Sequence, residues 1–248
     1  MGRHGEGAPS ATALVPAAGL GERLGCEGPK ALVELAGRPM LEWSLRAFAA
    51  AAGVSVVVVA APAGSEDRFH GAVTVPDGLE LRVVAGGPAR SESVAAALAA
   101  IDPETALVAV HDAARPLVTP ELITGTIELL VAHPDAAGAI AATALTDTVK
   151  RAREPRPPSG NDLAVEGTES RDRLWAAQTP QVFRTPALRG AVSADPQRLV
   201  AATDDAWLVE QDGGTVLIHP SPPENLKVTT RFDLRVAELL LAEREGGG

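Results

Sequence analysis

The sequence predicts an α/β protein with a doubly wound, mostly parallel sheet and right-handed crossovers. Short runs of β-branched residues alternate along the chain with Ala- and Leu-rich stretches of helical spacing, which is the pattern of strand–helix–strand units. The 248 residues, of which 46% are hydrophobic, can bury a large core, so a disordered chain is excluded. Because such sheets bind ligands at the carboxyl ends of their strands, the functional residues are expected just after each strand.

Local patterns predict the individual elements. A first strand over residues 11–16 leads into a Gly-rich loop. Residues 40–52 carry apolar side chains at helical spacing, and Gly53 suits the position just after a helix. Residues 54–60 are mostly β-branched with almost no polar face, as in a buried parallel strand. Later strands are predicted at 81–85, 106–111, 138–143, within 174–183 and at 215–218, and helices at 90–100, 120–132 and 232–245.

The alternation stops at residues 146–173, which contain the stretch EPRPPSGND and few apolar side chains. Two interpretations stay open: a surface loop, or an arm that covers a site or reaches a partner subunit, since long loops in compact domains are usually functional or disordered. Because the segment has too few apolar residues to pack alone, we expect a second subunit to order it in a two-fold dimer.

Composition excludes several classes of protein. The formal net charge of −10 argues against a general nucleic-acid binder, which needs a basic face. The single cysteine excludes a disulfide framework. No apolar run reaches the roughly 18 residues of a membrane span. Residues 1–10 are Gly-rich and mostly polar, so we expect a flexible tail without a signal peptide, and a cytoplasmic protein.

The loop after the first strand, residues 16–25, reads PAAGLGERLG. Leu24 stands where a dinucleotide fingerprint needs its third glycine, and the Gly-Lys-Ser/Thr of a Walker A loop is absent. Small residues in such a loop let backbone N–H groups approach an anion, and two cations follow nearby. The predicted phosphate cradle comprises Ala17, Ala18, Gly19 and Gly21, with Arg23 and Lys30 beside it.

The motif PAAG-x-G-x-R followed by PK is similar to the signature of sugar-phosphate nucleotidyltransferases. Later segments narrow the resemblance, in this order: GGPARSESV, HDAARP, TDTVKR, LWAAQTPQVF, ATDDA and ENLKVT. The series resembles the 2-C-methyl-D-erythritol 4-phosphate cytidylyltransferase family over about residues 13–241. The resemblance implies a Rossmann-like nucleotidyltransferase domain, 11–245, that transfers CMP from CTP to this polyol phosphate and releases pyrophosphate. It also implies a place in the non-mevalonate isoprenoid pathway.

The implied reaction needs in-line positioning and positive charge more than covalent help. By resemblance, Arg23 and Lys30 stabilise the transition state. Asp112, which follows a predicted strand, is expected to bind Mg²⁺ or another divalent cation directly or through water, although it could instead brace its loop with Arg115. His111 is left out of catalysis, because a substrate phosphate is already a good nucleophile.

The resemblance also assigns the two substrates. Cytosine and ribose recognition carries over to Ala17, Ala18, Gly19, Gly87 and Ser93, and the Ser93 hydroxyl could equally cap a helix. Pro88 stands where some relatives carry an acidic residue. The residues expected to position the acceptor phosphate are Arg171 and Lys227, with Thr148, Arg115, Thr179 and Thr203. In the family the 146–173 arm crosses a homodimer interface, which would bring Thr148 and Arg171 to the partner's site.

Alternatives remain from the sequence. A cytidylyltransferase for another polyol phosphate, such as ribitol 5-phosphate, shares the nucleotide half. A molybdenum-cofactor transferase shares the first loop but lacks HDAARP together with TPQVF. A nicotinamide-binding oxidoreductase is disfavoured by Leu24, and an inactive binding module by the retention of Arg23, Lys30 and Asp112.

Overall fold

The computed structural model describes residues 10–19, 21, 24–25, 28–153 and 163–246. In chain order its elements are β1 (Ala11–Pro16), a 3₁₀ turn (Lys30–Leu32), β2 (Glu34–Leu35), β3 (Arg38–Pro39), α1 (Met40–Ala50), β4 (Val54–Ala61), α2 (Glu66–Ala72), β5 (Glu80–Ala85), α3 (Arg90–Ala99), β6 (Leu107–Val110), α4 (Pro120–Ala132), β7 (Gly138–Ala144), β8 (Lys150–Ala152), β9 (Val165–Thr168), β10 (Trp175–Arg184), α5 (Thr185–Ala194), α6 (Pro196–Ala201), α7 (Asp205–Gln211), β11 (Val216–Pro220) and α8 (Arg231–Gly246).

The central sheet has seven strands in the order β11-β7-β10-β6-β1-β4-β5. Strand β1 runs parallel to β4 and β6, β5 runs parallel to β4, and β11 runs parallel to β7. Only β10 is antiparallel to its neighbours in this sheet. This confirms the predicted doubly wound, mostly parallel sheet. Because β4 and β6 flank β1 on opposite sides, the order in which strands are added to the sheet reverses at β1. The crevice for a ligand opens at this switch point, at the carboxyl end of β1.

Burial on both faces explains the apolar strands. Successive strand residues point to opposite faces, so Val15 packs in one hydrophobic cluster and Leu14 in another. The first cluster contains Phe48 of α1 and Ile123 of α4. The second contains Val94 of α3, together with residues of α5 and α7. The sheet is therefore a rigid platform that fixes the loops at its edge.

The predicted strands and long helices agree with the structure to within a few residues, whereas the short elements were missed. The hairpin β2–β3 and the helices α2, α6 and α7 are too short to show a clear period in the sequence. Helix α5 was also missed, although it is as long as α3. None of the described helices is both long and apolar enough to cross a membrane.

The segment 146–173 contains a two-stranded antiparallel sheet of β8 and β9, separate from the central sheet. Its described residues lie mostly at the surface, and Leu163 and Val165 are 64% and 62% exposed. The Pro-rich residues 154–162 lie outside the described part of the chain, as does nearly all of the predicted N-terminal tail. The described arm contributes no residue to the buried hydrophobic clusters.

Candidate active site

A cavity of about 870 Å³ opens at the carboxyl ends of β1, β4, β5 and β6, where the topology predicts a ligand site. Many of the residues predicted from the sequence line it: Ala17, Ala18, Gly19, Gly21, Lys30, Gly87, Ser93, Asp112 and Lys227. Arg90 and Thr229 also line it and were not predicted. The nucleotide half of the predicted site is therefore assembled in one place. Arg23 lies outside the described residues.

The first loop wraps closely around Lys30. Gly21 has a φ of +71°, and a Cβ there would lie 2.9 Å from the Lys30 Cβ. The Lys30 backbone N–H donates to the Gly19 carbonyl at 3.0 Å. A Cβ on Gly19 would meet nothing within 4 Å, so the backbone there is open to an approaching group. The glycines thus fix the lysine at the cavity wall and leave room for a phosphate beside it.

The second loop, which follows β5, also depends on close packing. A Cβ on Gly86 would lie 3.1 Å from the Ala61 carbonyl oxygen, and one on Gly87 would lie 2.4 Å from the Glu92 Cβ. The buried Ser93 hydroxyl lies 3.1 Å from the Gly87 carbonyl oxygen and 3.2 Å from that of Ala89, to either of which it donates. In this structure Ser93 therefore shapes the loop.

Four charged side chains form a row of linked ion pairs that begins at the cavity lining. Lys227 Nζ lies 2.7 Å from Asp112 Oδ2, and Arg90 Nε lies 2.7 Å from Asp112 Oδ1. Arg90 Nη1 lies 2.7 Å from an oxygen of the fully buried Asp205. Burial raises the pKa of Asp112, but the Arg90 and Lys227 charges outweigh it and hold that pKa well below its usual range. Asp112 is therefore ionised at neutral pH.

Arg90 and Asp205 are the two charged residues that the sequence interpretation missed. Arg90 stands within GGPARSESV, at the start of the helix after β5, where a parallel sheet collects ligand-binding groups. Its place at the start of this helix could have identified Arg90 as a candidate ligand-binding residue. Asp205 lies within ATDDA, and no local pattern distinguishes it from a surface carboxylate.

Two of the predicted acceptor-binding residues lie beneath Asp112, away from the described cavity lining. The Thr179 hydroxyl accepts from the Asp112 backbone N–H at 3.1 Å and lies 3.0 Å from His111 Nδ1. Arg115 is buried and donates from Nη1 to the Asn225 carbonyl at 2.8 Å. Burial lowers the pKa of His111 to about 4, so its imidazole is neutral at pH 7. These contacts brace the strand end that carries Asp112.

A buried amide cluster holds the segment that carries Lys227. Asn225 donates to the Gln178 side-chain oxygen at 2.8 Å and to the Thr179 carbonyl at 2.9 Å. The Ser221 hydroxyl donates to the same Gln178 oxygen at 2.8 Å. The loop after β11 is thus tied to β10, which fixes where Lys227 enters the cavity.

Comparison with known proteins identifies this arrangement. The family model for 2-C-methyl-D-erythritol 4-phosphate cytidylyltransferase (IspD) matches residues 11–243. The chain belongs to this family. The Streptomyces coelicolor enzyme of that name is 43% identical over 238 residues, which cover 94% of this chain and 85% of the relative. The enzyme from Pelotomaculum thermopropionicum is 42% identical over 239 residues, covering 94% and 95%.

Solved structures agree. The crystal structure of 2-C-methyl-D-erythritol 4-phosphate cytidylyltransferase from Thermus thermophilus has a TM-score of 0.72 and 32% identity, and the match covers 93% of this chain and 98% of that one. The Francisella tularensis enzyme has a TM-score of 0.73 and 30% identity, covering 93% and 99%. The predicted family is therefore confirmed, and the chain is a nucleotidyltransferase that carries out CTP-dependent cytidylyl transfer in the isoprenoid pathway.

The remaining predicted residues of this cytidylyltransferase lie away from the cavity. Thr148 and Arg171 belong to the arm and are exposed, and Arg171 Nη1 donates to the Thr146 carbonyl. Thr203 is exposed beside α7. None of the three is among the residues that line the described cavity of their own chain.

The cytidylyltransferase site fits a magnesium ion that arrives with a nucleotide. Within the described ranges, no group of three or more His, Cys, Asp or Glu side chains could hold a metal alone. Asp112 is the one carboxylate among the described lining residues. Mg²⁺ commonly takes one or two carboxylates, with water and substrate phosphates as its other ligands, so a lone aspartate suffices where a triphosphate binds.

Proposed function

We propose that this chain catalyses its transfer within the cavity at the β1–β6 crevice. A phosphate oxygen of 2-C-methyl-D-erythritol 4-phosphate attacks the α-phosphorus of CTP. The new P–O bond forms as the bond between the α-phosphorus and the bridging oxygen breaks, and pyrophosphate leaves. The observation that carries the proposal is the grouping of Lys30, Arg90 and Lys227 around one cavity in a chain of net charge −10.

Lys30 and Arg23 have the role of stabilising charge that grows on the phosphate oxygens. Positively charged groups that are held in place before the reaction lower its barrier, because they need no reorganisation as the charge develops. The close contact of Gly21 with the Lys30 side chain supports this role for the lysine. Arg23 is assigned from its place in the same loop.

Asp112 is the residue that would hold the divalent cation. When bound, Mg²⁺ would neutralise phosphate charge and orient the triphosphate. Arg90 and Lys227 keep the Asp112 carboxylate ionised, and a divalent cation would share its oxygens with them. Lys227, which is 41% exposed on the cavity side, can contact an incoming phosphate as a mobile point charge.

The acceptor half of the site is proposed to come from two subunits of a cytoplasmic homodimer. The exposure of the arm, and the absence of Thr148 and Arg171 from the residues that line the described cavity of their own chain, support delivery to the partner subunit's site. An arginine grips a phosphate through two parallel hydrogen bonds, which suits Arg171 for the acceptor phosphate. Arg115 and Thr179 support this half indirectly, by bracing the strand end that carries Asp112, and Thr203 completes the proposed set.

Pyrophosphate release measured with four nucleoside triphosphates and two polyol phosphates tests the proposal. We expect turnover with CTP and methylerythritol phosphate. UTP, ATP and GTP should react far more slowly, because a pocket that satisfies the cytosine amine leaves polar groups unpaired with another base. Equal turnover with UTP contradicts the assigned nucleotide, and preference for ribitol 5-phosphate contradicts the assigned acceptor.

A further inference from the structure

Asp205 is a fully buried carboxylate at the first residue of α7. Its Oδ2 is paired with Arg90 at 2.7 Å, and its Oδ1 has no hydrogen-bond partner among the described residues. Burial raises the pKa of Asp205, and the opposing effect of the Arg90 charge is smaller. A buried ion pair of this kind contributes little net stability, because desolvation offsets the attraction. Stability alone therefore does not account for an aspartate at this buried position.

Arg90 is shared between the carboxylates of Asp112 and Asp205. Guanidinium groups often bind one carboxylate through two nitrogens. Here Nε binds Asp112 Oδ1 and Nη1 binds Asp205 Oδ2, both at 2.7 Å, so each carboxylate receives one nitrogen. The second oxygen of Asp112 is consequently available to Lys227, whose Nζ lies 2.7 Å from it.

We infer that Asp205 is a positioning residue for cytidylyl transfer: it draws one side of the Arg90 guanidinium away from Asp112 and thereby keeps Lys227 on that carboxylate. Without the Asp205 charge, Arg90 turns and takes both oxygens of Asp112, which displaces Lys227. This inference rests on the proposed function, in which Asp112 and Lys227 act on the substrates.

The test compares Asp205→Asn with Asp195→Asn in steady-state kinetics. Asp195 lies outside the lining of the described cavity and caps α6 by accepting from the Gln197 backbone N–H at 2.8 Å, and asparagine caps equally well. We expect Asp205→Asn to lower kcat about 10- to 100-fold, as small displacements of a positioned group do. It should also raise the KM of whichever substrate Lys227→Ala affects more. Asp195→Asn should retain wild-type constants.

A double-mutant cycle shows whether Asp205 acts through Arg90. In an Arg90→Met background, adding Asp205→Asn should leave kcat unchanged and raise Tm, because it removes a buried charge that has lost its partner. An equal kcat loss in both backgrounds overturns the inference, and so does wild-type kcat for folded Asp205→Asn.

If Asp205→Asn does not fold, Arg90→Lys replaces it, since one ammonium cannot form both contacts in the same planar geometry. We then expect the same loss of kcat and the same KM signature, and wild-type constants contradict the inference. Wild-type enzyme assayed in parallel separates the two claims. An inactive wild type speaks against the proposed function, whereas variants equal to an active wild type speak against the role of Asp205 alone.

Discussion

Lys227 and Asp112 come from opposite halves of the chain, yet Nζ of one lies 2.7 Å from Oδ2 of the other. Asp112 follows β6 beside the nucleotide loops, and Lys227 stands in the loop after β11, which is tied to β10 through Asn225. The ion pair therefore joins the two halves of the cavity. Its lysine is 41% exposed, so an incoming phosphate can reach it.

Lys227→Ala should weaken binding of the polyol phosphate more than binding of CTP. The ammonium lies on the side of the cavity formed by the later half of the chain, where the acceptor is proposed to bind. Separate KM measurements for the two substrates check this. A larger rise in KM for CTP would move Lys227 to the nucleotide.

Lys30→Ala and Arg23→Ala should each lower kcat by at least about 10²-fold with the fold intact, because their charge is used mainly in the transition state. Circular dichroism and Tm check the fold, and stopped assays give kcat. If only the KM for CTP rises, the two cations serve ground-state binding.

Gly21→Ala should lower kcat although it removes no charged group. Alanine at a φ of +71° costs about 1–2 kcal/mol, and its Cβ would lie 2.9 Å from the Lys30 Cβ, so the lysine must shift. Gly37→Ala is the matched control, since Gly37 has a φ of +76° and open space around it. Similar Tm losses with loss of kcat in Gly21→Ala alone are expected. Equal kcat in both variants would mean that the position of Lys30 tolerates the shift.

The sequence predicts the parts of this site that depend on local motifs and on the order of the strands. It does not predict the parts that depend on how distant segments pack together. Gly19, Gly87 and Asp112 follow strands closely, and the parallel sheet brings those strand ends together, so they were predicted to converge. Lys30 was predicted beside them because it follows the loop that begins at the end of β1. The pairing of Arg90 with Asp205 depends instead on where the short helix α7 packs, and no periodic pattern records that. The sequence also could not show that Thr179 and Arg115 lie beneath Asp112.

EDTA should abolish turnover, and added Mg²⁺ should restore it, because two anionic substrates must meet at one carboxylate. Asp112→Asn should require more Mg²⁺ for half-maximal activity than wild type, as the neutral amide is a weaker ligand. Titrating Mg²⁺ at saturating CTP measures this requirement. Full activity in EDTA would remove the metal from the mechanism.

Asp233→Asn should destabilise the protein by about 0.3–1 kcal/mol at pH 7, the usual contribution of a negative charge in the first turn of a helix. Asp233 Oδ2 accepts from the Thr229 and Thr230 backbone N–H groups at 2.8 and 2.7 Å. Burial raises its pKa, but these hydrogen bonds outweigh it, so the pKa falls from 3.8 to about 2. The wild-type advantage is thus present above pH 3.8 and is lost as pH falls through about 2.

Urea unfolding of both proteins across this pH range measures the advantage, with Glu238→Gln, an exposed position on the same helix, as control. A deficit that does not shrink toward low pH would show that the Asp233 charge is not its source.

Lys30→Ala and Arg171→Ala proteins, each nearly inactive, should restore activity when mixed and allowed to exchange subunits. Lys30 lines the cavity of its own chain, whereas Arg171 is exposed on the arm and is proposed to act in the partner subunit's site. Random exchange makes half of the dimers mixed. Each mixed dimer has one site with both residues intact and one with neither, so about a quarter of wild-type activity should return.

Mixing Lys30→Ala with Lys227→Ala is the matched control, because both residues line the same cavity and no exchange can produce an intact site. If Arg171 acts within its own subunit, the first mixture also leaves one lesion in every site. Absence of recovery despite demonstrated subunit exchange would therefore exclude a site shared between subunits. Recovery in the first mixture alone would assign the arm to the partner's acceptor phosphate.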